Sequence, residues 1–414
     1  MVTLPTLQGT PFESLMLVLL ASFLVPILLS RWQRVKVPLV VGEILAGIIL
    51  GPSLLGIIDG QGEVFDFLRE FGLAYLMFIA GMEIDFNMIG KISKAAEKAH
   101  AKVTSHPVFL AATSFLLTIL LSVAISRELA SRGLVENEWM VALILSTTSL
   151  GVVLPVLKER ELSETRFGQT VLISALFADF VTMLLISLLA TYLVSGLNVE
   201  MLLVFLLFLA FSMLHRTGRL IKHSSRLGHL IEELSHATAQ IKLRASLALL
   251  VGFIVLAQIL NAEMILGAFI AGVVVSMLTT SQERKVEKDL EAFGFSFFIP
   301  IFFILVGVGF DIRELTSSNE ALLLVPVLLI AAMVVKFVPT LIFRISFTWR
   351  ETFAAGSLLS ARLSLIIAAS LIALDLEIIT AAVNSAIILV AIITVTFAPL
   401  LFSHLMPPNG SEEE

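Results

Sequence analysis

Apolar runs long enough to cross a bilayer recur from one end of this chain to the other, and no other feature constrains its fold as strongly. Hydrocarbon offers no water to a backbone amide or carbonyl, so a run of about 20 apolar residues folds as a helix that bonds those groups to one another. With 58% of its 414 residues hydrophobic and 14% charged, the chain reads as an all-α polytopic membrane protein. Hydropathy and turn signals predict about thirteen transmembrane helices, over 12–30, 37–56, 67–86, 107–126, 139–157, 167–194, 198–214, 241–261, 263–278, 292–310, 321–343, 351–374 and 378–404.

The first run, Leu15 to Leu29, has no basic residue before it and Arg31, Arg34 and Lys36 after it. That is the reverse of a cleavable signal peptide and predicts a retained span with its N-terminus outside. Alternating the helices from there puts 21 Lys and Arg residues in loops after odd-numbered helices, against four (Arg69, Arg127, Arg132 and Arg313) on the other side. The asymmetry predicts a multi-pass protein of the cell membrane with its C-terminus in the cytosol. The net charge of −6 does not bear on orientation, and the absence of cysteine excludes disulfides and thiol-based metal or redox chemistry.

The chain also repeats itself. Gly42-Glu-Ile-Leu-Ala-Gly47 in the second predicted helix matches Gly267-Ala-Phe-Ile-Ala-Gly272 in the ninth, and Phe78-Ile-Ala-Gly81 with Asp85 in the third parallels Ile304-Leu-Val-Gly307 with Asp311 in the tenth. Small residues at such spacing let helices approach closely. The offset is seven helices, an odd number, so the two halves run in opposite directions across the membrane. Inverted repeats of this kind belong to secondary transporters, whose site lies at the midplane beside broken helices. The same offset pairs the fifth helix, with Ser146-Thr-Thr-Ser-Leu-Gly151 and Pro155, with the twelfth, with Ser360-Ala-Arg-Leu-Ser364. Hydroxyls there either mark backbone that leaves the helix or bond back to their own helix. Their occurrence at matching places in both halves predicts two discontinuous crossing helices.

Between Val171 and Val194 the one ionisable side chain is Asp179. A charge near the bilayer centre costs about 2.5–3.5 kcal/mol on insertion scales, so such a residue faces water or a bound ion. A carboxylate removed from water also favours its neutral form, and Asp179 can therefore hold either a proton or a monovalent cation. Lys336 is a second charge within an apolar helix; it either neutralises Asp179 when no cation is bound or snorkels to the interface near Arg344. Arg362 reads as a pin for helix ends or for Glu43, and Glu43 as a polar contact within the core. Glu83 and Asp85 read as interface residues that can also draw cations inward. His215, His223, His229 and His236 lie in a basic stretch that reads as an interfacial linker, with pH sensing as the alternative. No phosphate-binding loop, zinc motif or nucleophile constellation is present, which argues against an enzyme.

Taken together, Val37-Pro-Leu-Val-Val-Gly-Glu-Ile-Leu-Ala-Gly-Ile-Ile-Leu-Gly-Pro-Ser53, Met77-Phe-Ile-Ala-Gly-Met-Glu-Ile-Asp85, Ser146 to Gly151 and Leu266 to Gly272 resemble the monovalent cation:proton antiporters, in the branch with Kef-type potassium efflux and bacterial sodium:proton exchangers. The resemblance covers essentially the whole chain. It implies a sodium:proton-antiporter-like fold, a homodimer with a dimerisation domain and a mobile core domain, and an elevator-like movement. It implies that Asp179 is the ion- and proton-binding aspartate, that Ser146, Thr147 and Thr148 lie in the first crossing helix at the cation site, and that Lys336 is the core lysine. Two positions depart from the family pattern. Ala178 stands where electrogenic relatives have a second Asp and Kef-type chains a Gln, which implies one proton per cation. Arg362-Leu363-Ser364 replaces a frequent Gly-Glu, so no family role is carried to that helix. Many Kef-type relatives continue into a nucleotide-binding domain, whereas this sequence stops at Glu414; it is similar in this to the KhtU-type potassium:proton antiporters, which implies a separate cytosolic regulatory subunit.

The expected organisation is a first repeat with its linker helix over 1–214, an interfacial linker over 215–240, a second repeat over 241–406 and a short tail over 407–414. The expected activity is exchange of K⁺, or alternatively Na⁺, for H⁺ across the bilayer, with no cofactor, no nucleic-acid partner and no metal beyond the monovalent cation at Asp179. Two rivals remain: a gated cation channel, and a sodium-coupled symporter of an organic anion on a similar scaffold.

Overall fold

A computed structural model describes residues 11–31, 38–83, 106–196, 241–260, 262–278, 284–316 and 319–406. Asp85, the four linker histidines, the predicted helix over 198–214 and the tail lie outside the described residues. Within them the chain is helical throughout, with no strand. The helices are α1 (Pro11–Arg31), α2 (Leu39–Leu50), α3 (Glu63–Met82), α4 (Pro107–Ser131), α5 (Glu138–Ser146), α6 (Leu150–Glu159), α7 (Arg166–Ser195) and α8 (Ile241–Ile259). They continue with α9 (Met264–Leu278), α10 (Arg284–Phe293), α11 (Ile299–Val308), α12 (Ile312–Thr316), α13 (Asn319–Thr340), α14 (Trp349–Leu359), α15 (Ser364–Asp375) and α16 (Ala381–Leu405). A π turn, Gly294–Phe298, joins α10 to α11 without a break. Each of the twelve predicted spans that fall in described residues is found, the fifth as α5 with α6 and the twelfth as α14 with α15. Among the described residues, eight helical stretches are long and apolar enough to cross a bilayer, nine with the bent α14–α15 pair counted as one span.

Local chemistry sets the ends of these helices. Asn137 caps α5 by accepting from the Met140 amide at 2.9 Å, and Thr380 caps α16 through the Val383 amide. Thr348 and Glu351 form a reciprocal capping box at the start of α14. At the other end of a helix, α2 stops at Gly51, because Pro52 cannot continue it.

The chain divides into two compact units, one of Met1–Gly60, Asn87–Ile186 and Phe303–Glu414, the other of Gln61–Phe86 and Ser187–Phe302. In the first unit α2 packs on α11 through glycine. A Cβ on Gly47 would meet the Ile304 carbonyl, and one on Gly307 would meet the Ile44 carbonyl. In the second unit α9 packs on α3 by the equivalent contact, Gly272 against the Phe78 carbonyl and Gly81 against the Phe269 carbonyl. Every residue of one contact has its counterpart in the other at the seven-helix offset: Gly47 with Gly272, Ile44 with Phe269, Gly307 with Gly81, Ile304 with Phe78. The internal repeat thus appears twice as the same backbone-to-backbone seam, which side chains larger than hydrogen would prevent. The first unit has its own apolar core around the broken helices, where Leu150, Val153, Phe167, Val171, Phe343 and Leu358 are buried together.

Candidate functional site

Both crossing helices are interrupted in the first unit. Helix α5 ends at Ser146, Thr147 (φ −59°, ψ 155°) and Ser149 (φ −121°, ψ 108°) are extended, and α6 resumes at Leu150. Likewise α14 ends at Leu359, Leu363 turns the chain (φ −146°, ψ −82°), and α15 starts at Ser364 with a bend of 41°. The two interruptions touch. The Ser149 amide donates to the Ala361 carbonyl at 3.0 Å, and Thr148 Oγ1 donates to the Leu359 carbonyl at 3.1 Å. Discontinuous helices were expected from the paired hydroxyl clusters, and non-helical backbone at this depth is tolerated because protein encloses it.

A broken helix leaves a partial negative charge where it stops and a partial positive charge where it restarts. Each of the site's three charged side chains answers one of these ends. Arg362, fully buried, donates from Nη2 to the carbonyls of Leu145 in α5 and Ala332 in α13, both at 2.8 Å, and from Nη1 to Ser360 at 3.4 Å. Lys336, 4% exposed, donates from Nζ to the Ser146 carbonyl at 2.7 Å, so it does not snorkel to the interface. Two cations therefore sit at carbonyl ends, where the helix dipole favours them. Asp179 sits at an amide end: its Oδ2 accepts from the Leu150 amide, the first of α6, at 2.8 Å. The other carboxylate oxygen, Oδ1, is sealed from solvent and has no hydrogen-bond partner among the described residues. Lys336 and Asp179 lie in each other's electrostatic field without forming a direct ion pair.

The expected hydroxyls are all here, in different roles. Thr147 Oγ1 donates back to Ile144 at 2.8 Å and Ser146 Oγ back to Leu143 at 2.7 Å, while Thr148 ties the two crossing helices. Ser146 Oγ also lies 3.3 Å from Thr182 Oγ1. Thr182 was not among the expected site residues, although its spacing of three from Asp179 on one helix puts both on the same face. Glu43 departs from expectation: it is 2% exposed in α2, yet it makes no hydrogen bond or ion pair among the described residues. Arg362 is committed to carbonyls instead, because two at helix ends, Leu145 and Ser360, and one within α13, Ala332, lie within reach of one guanidinium. No group of three or more metal-ligating side chains occurs among the described residues.

One carboxylate with a committed and an uncommitted oxygen, set between a helix start and two capped helix ends, can accept a single positive charge, as a proton or as a monovalent cation. Paired broken helices within a bilayer fold built from an inverted repeat are the architecture of membrane carriers. The model of the sodium/hydrogen exchanger transmembrane family matches residues 19–406, and the chain belongs to that family, one of transporters and not of enzymes. It is 37% identical over 405 residues to the putative Na⁺/H⁺ antiporter YjbQ of Bacillus subtilis, covering 98% of this chain and 65% of that protein. It therefore spans about two thirds of the length of that relative. Identity is 29% over 394 residues with probable Na⁺/H⁺ antiporter 3 of Methanocaldococcus jannaschii, covering 94% and 95%. It is 26% over 333 residues with the glutathione-regulated potassium-efflux protein KefC of Escherichia coli, covering 76% and 47%. Among solved structures, the sodium proton antiporter MjNhaP1 of M. jannaschii superposes with a TM-score of 0.64 at 16% identity, over 96% of this chain and 98% of that one, a likeness of fold.

Proposed function

We propose that this protein exchanges a monovalent cation for a proton across the membrane, with Asp179 as the shared site. The observation that carries the proposal is Asp179 itself: Oδ2 is fixed on the start of α6, and Oδ1 is buried with no partner among the described residues. An ionised carboxylate in that position is costly, so the site favours a neutral pair, either carboxyl and proton or carboxylate and cation. The core reorients in either neutral form and not in the bare ionised one, which couples the two flows. Relatives named for Na⁺ and for K⁺ support a monovalent cation, and K⁺ is the favoured ion of this reading, with Na⁺ as the alternative. With Ala178 beside Asp179, one proton moves per cation. Homodimerisation, elevator-like movement of a core domain and a separate regulatory subunit belong to the same proposal, as do the expected repeat boundaries and the cytosolic C-terminus.

The deciding experiment is cation-induced proton release from everted vesicles carrying the protein, comparing K⁺, Na⁺, Rb⁺ and Li⁺. Saturable release that needs Asp179 supports exchange. Ion current far above carrier turnover would make the protein a channel, and proton-independent uptake of an organic anion with Na⁺ would make it a symporter.

A further inference from the structure

Most buried hydroxyls of α7 bond back to their own helix; Ser187 Oγ finds no partner among the described residues, and Thr182 reaches across to another helix. Thr170 Oγ1 donates to the Arg166 carbonyl at 2.8 Å, Ser174 Oγ to Thr170 at 2.8 Å and Thr191 Oγ1 to Ser187 at 2.9 Å, each one turn back on the same helix. This is the ordinary resting place for a hydroxyl within an apolar helix. Thr182, fully buried, instead faces Ser146 Oγ across the gap to α5 at 3.3 Å. Ser146 has spent its proton on the Leu143 carbonyl, so in this contact Thr182 is the donor and keeps both of its lone pairs free. Those lone pairs lie on the Asp179 face of α7, one turn from a carboxylate oxygen that has no partner among the described residues.

We infer that Thr182 is a ligand of the transported cation and a determinant of which cation is taken. The inference rests on the antiport reading and deepens it. With Asp179 Oδ1 and Ser146 Oγ it supplies three oxygens, two on one face of α7 and the third in contact with Thr182 from α5. Asp179 Oδ2 is already held by the Leu150 amide. When a cation enters, the Thr182 hydroxyl turns its proton away from Ser146, and both hydroxyl oxygens present lone pairs to the ion. A proton on Asp179 needs neither hydroxyl, so the state in which Asp179 is protonated keeps the Ser146–Thr182 bond seen here. Thr182 therefore acts on cation affinity more than on proton affinity. Ion selectivity depends on the number and field strength of the oxygens around the ion. Losing one oxygen costs a small ion more than a large one, because the small ion interacts more strongly with each ligand and is harder to dehydrate.

The test uses the full-length protein in proteoliposomes. Thr182→Val keeps the shape and removes the oxygen; Thr182→Ser keeps the oxygen. The valine variant should raise the half-saturating cation concentration about tenfold, the worth of one hydrogen bond to a charged group, with a smaller fall in maximal rate. The increase should be larger for Li⁺ and Na⁺ than for K⁺ and Rb⁺, and the serine variant should restore both affinity and ion order. Cation-dependent thermal stabilisation of the purified protein reads binding without transport, and it should weaken in the valine variant and return in the serine one. Should the valine variant fail to fold, Thr182→Ala against Thr182→Ser makes the same comparison. Wild-type half-saturation and ion order in a folded valine or alanine variant would overturn the role of Thr182 while leaving antiport at Asp179 standing. A wild-type protein with no cation-dependent proton flux would overturn both.

Discussion

Lys336 Nζ donates to the main-chain carbonyl of Ser146 at 2.7 Å, which makes the lysine a cap on the broken end of α5 and a counter-charge to Asp179 without a direct ion pair. The two roles separate on substitution. Lys336→Gln keeps a donor for the carbonyl and drops the charge, whereas Lys336→Met drops both and strands a buried acceptor at a cost of about 1–3 kcal/mol. We expect the methionine variant to melt clearly below the glutamine variant in detergent, with both retaining some cation-dependent proton flux. Equal melting temperatures would mean that the Ser146 contact contributes nothing to stability, and that charge alone explains why a lysine stands there.

Asp179→Asn should abolish cation-dependent proton flux while leaving the protein folded. The amide keeps the shape of the carboxylate, and its oxygen can still accept from the Leu150 amide, but it can neither release a proton nor neutralise a cation. Wild-type exchange by a well-expressed asparagine variant would remove the centre of the proposed mechanism.

Stoichiometry follows from the neighbour of Asp179. Ala178 offers no second carboxylate, and Lys336 is occupied with a carbonyl, so one proton should exchange for one cation and an imposed membrane potential should leave the reversal point unchanged. A reversal point that moves with voltage in proteoliposomes would show that a second proton travels, with Lys336 as the group to test next.

Much of this was readable before any coordinates, and the rest was hidden for physical reasons. The spans were legible because hydrocarbon forces long apolar helices. The crossing helices were legible because hydroxyls recur at matching places in both halves, and Asp179 because a lone carboxylate in an apolar run has few explanations. What could not be read was partner choice. Spacing alone leaves Glu43 and helix ends equally open to Arg362, and the choice was made by carbonyls of Leu145 and Ala332 that come together through packing of distant segments. Thr182 was passed over because a threonine in an apolar helix ordinarily bonds to its own backbone, as Thr170 and Thr191 do. Its departure from that habit shows only when α5 is placed opposite.

The glycine seams allow a test of the fold that is independent of transport. A methyl group on Gly47 or Gly272 would run into the backbone of α11 or α3, which cannot yield as a side chain can, so Gly47→Ala and Gly272→Ala should each cost about 1–3 kcal/mol. Gly252 in α8 has open space where its Cβ would go, and Gly252→Ala should be neutral or stabilising by up to about 1 kcal/mol. Thermal melts of the three variants check this: equal melting temperatures would mean that the equivalent contacts of the two repeats are not close-packed as described.

The pH dependence of transport should report competition at Asp179 and should not require the histidine-rich stretch. As the proton concentration rises, the protonated carboxyl excludes the cation, so apparent cation affinity should weaken toward low pH. Toward high pH the carboxylate binds cation readily but finds few protons for the return step, so turnover should fall and the profile should be a bell. Saturating cation should shift the acid limb to lower pH, because the two ligands compete for one group; a purely regulatory titration elsewhere would leave that limb in place. Replacing His215, His223, His229 and His236 together with Gln should keep the bell, since a basic stretch between two apolar spans is not where the midplane carboxylate lies. A quadruple variant that transports at a rate independent of pH over the same range would place sensing in that stretch, and Asp179 would then supply coupling without setting the profile.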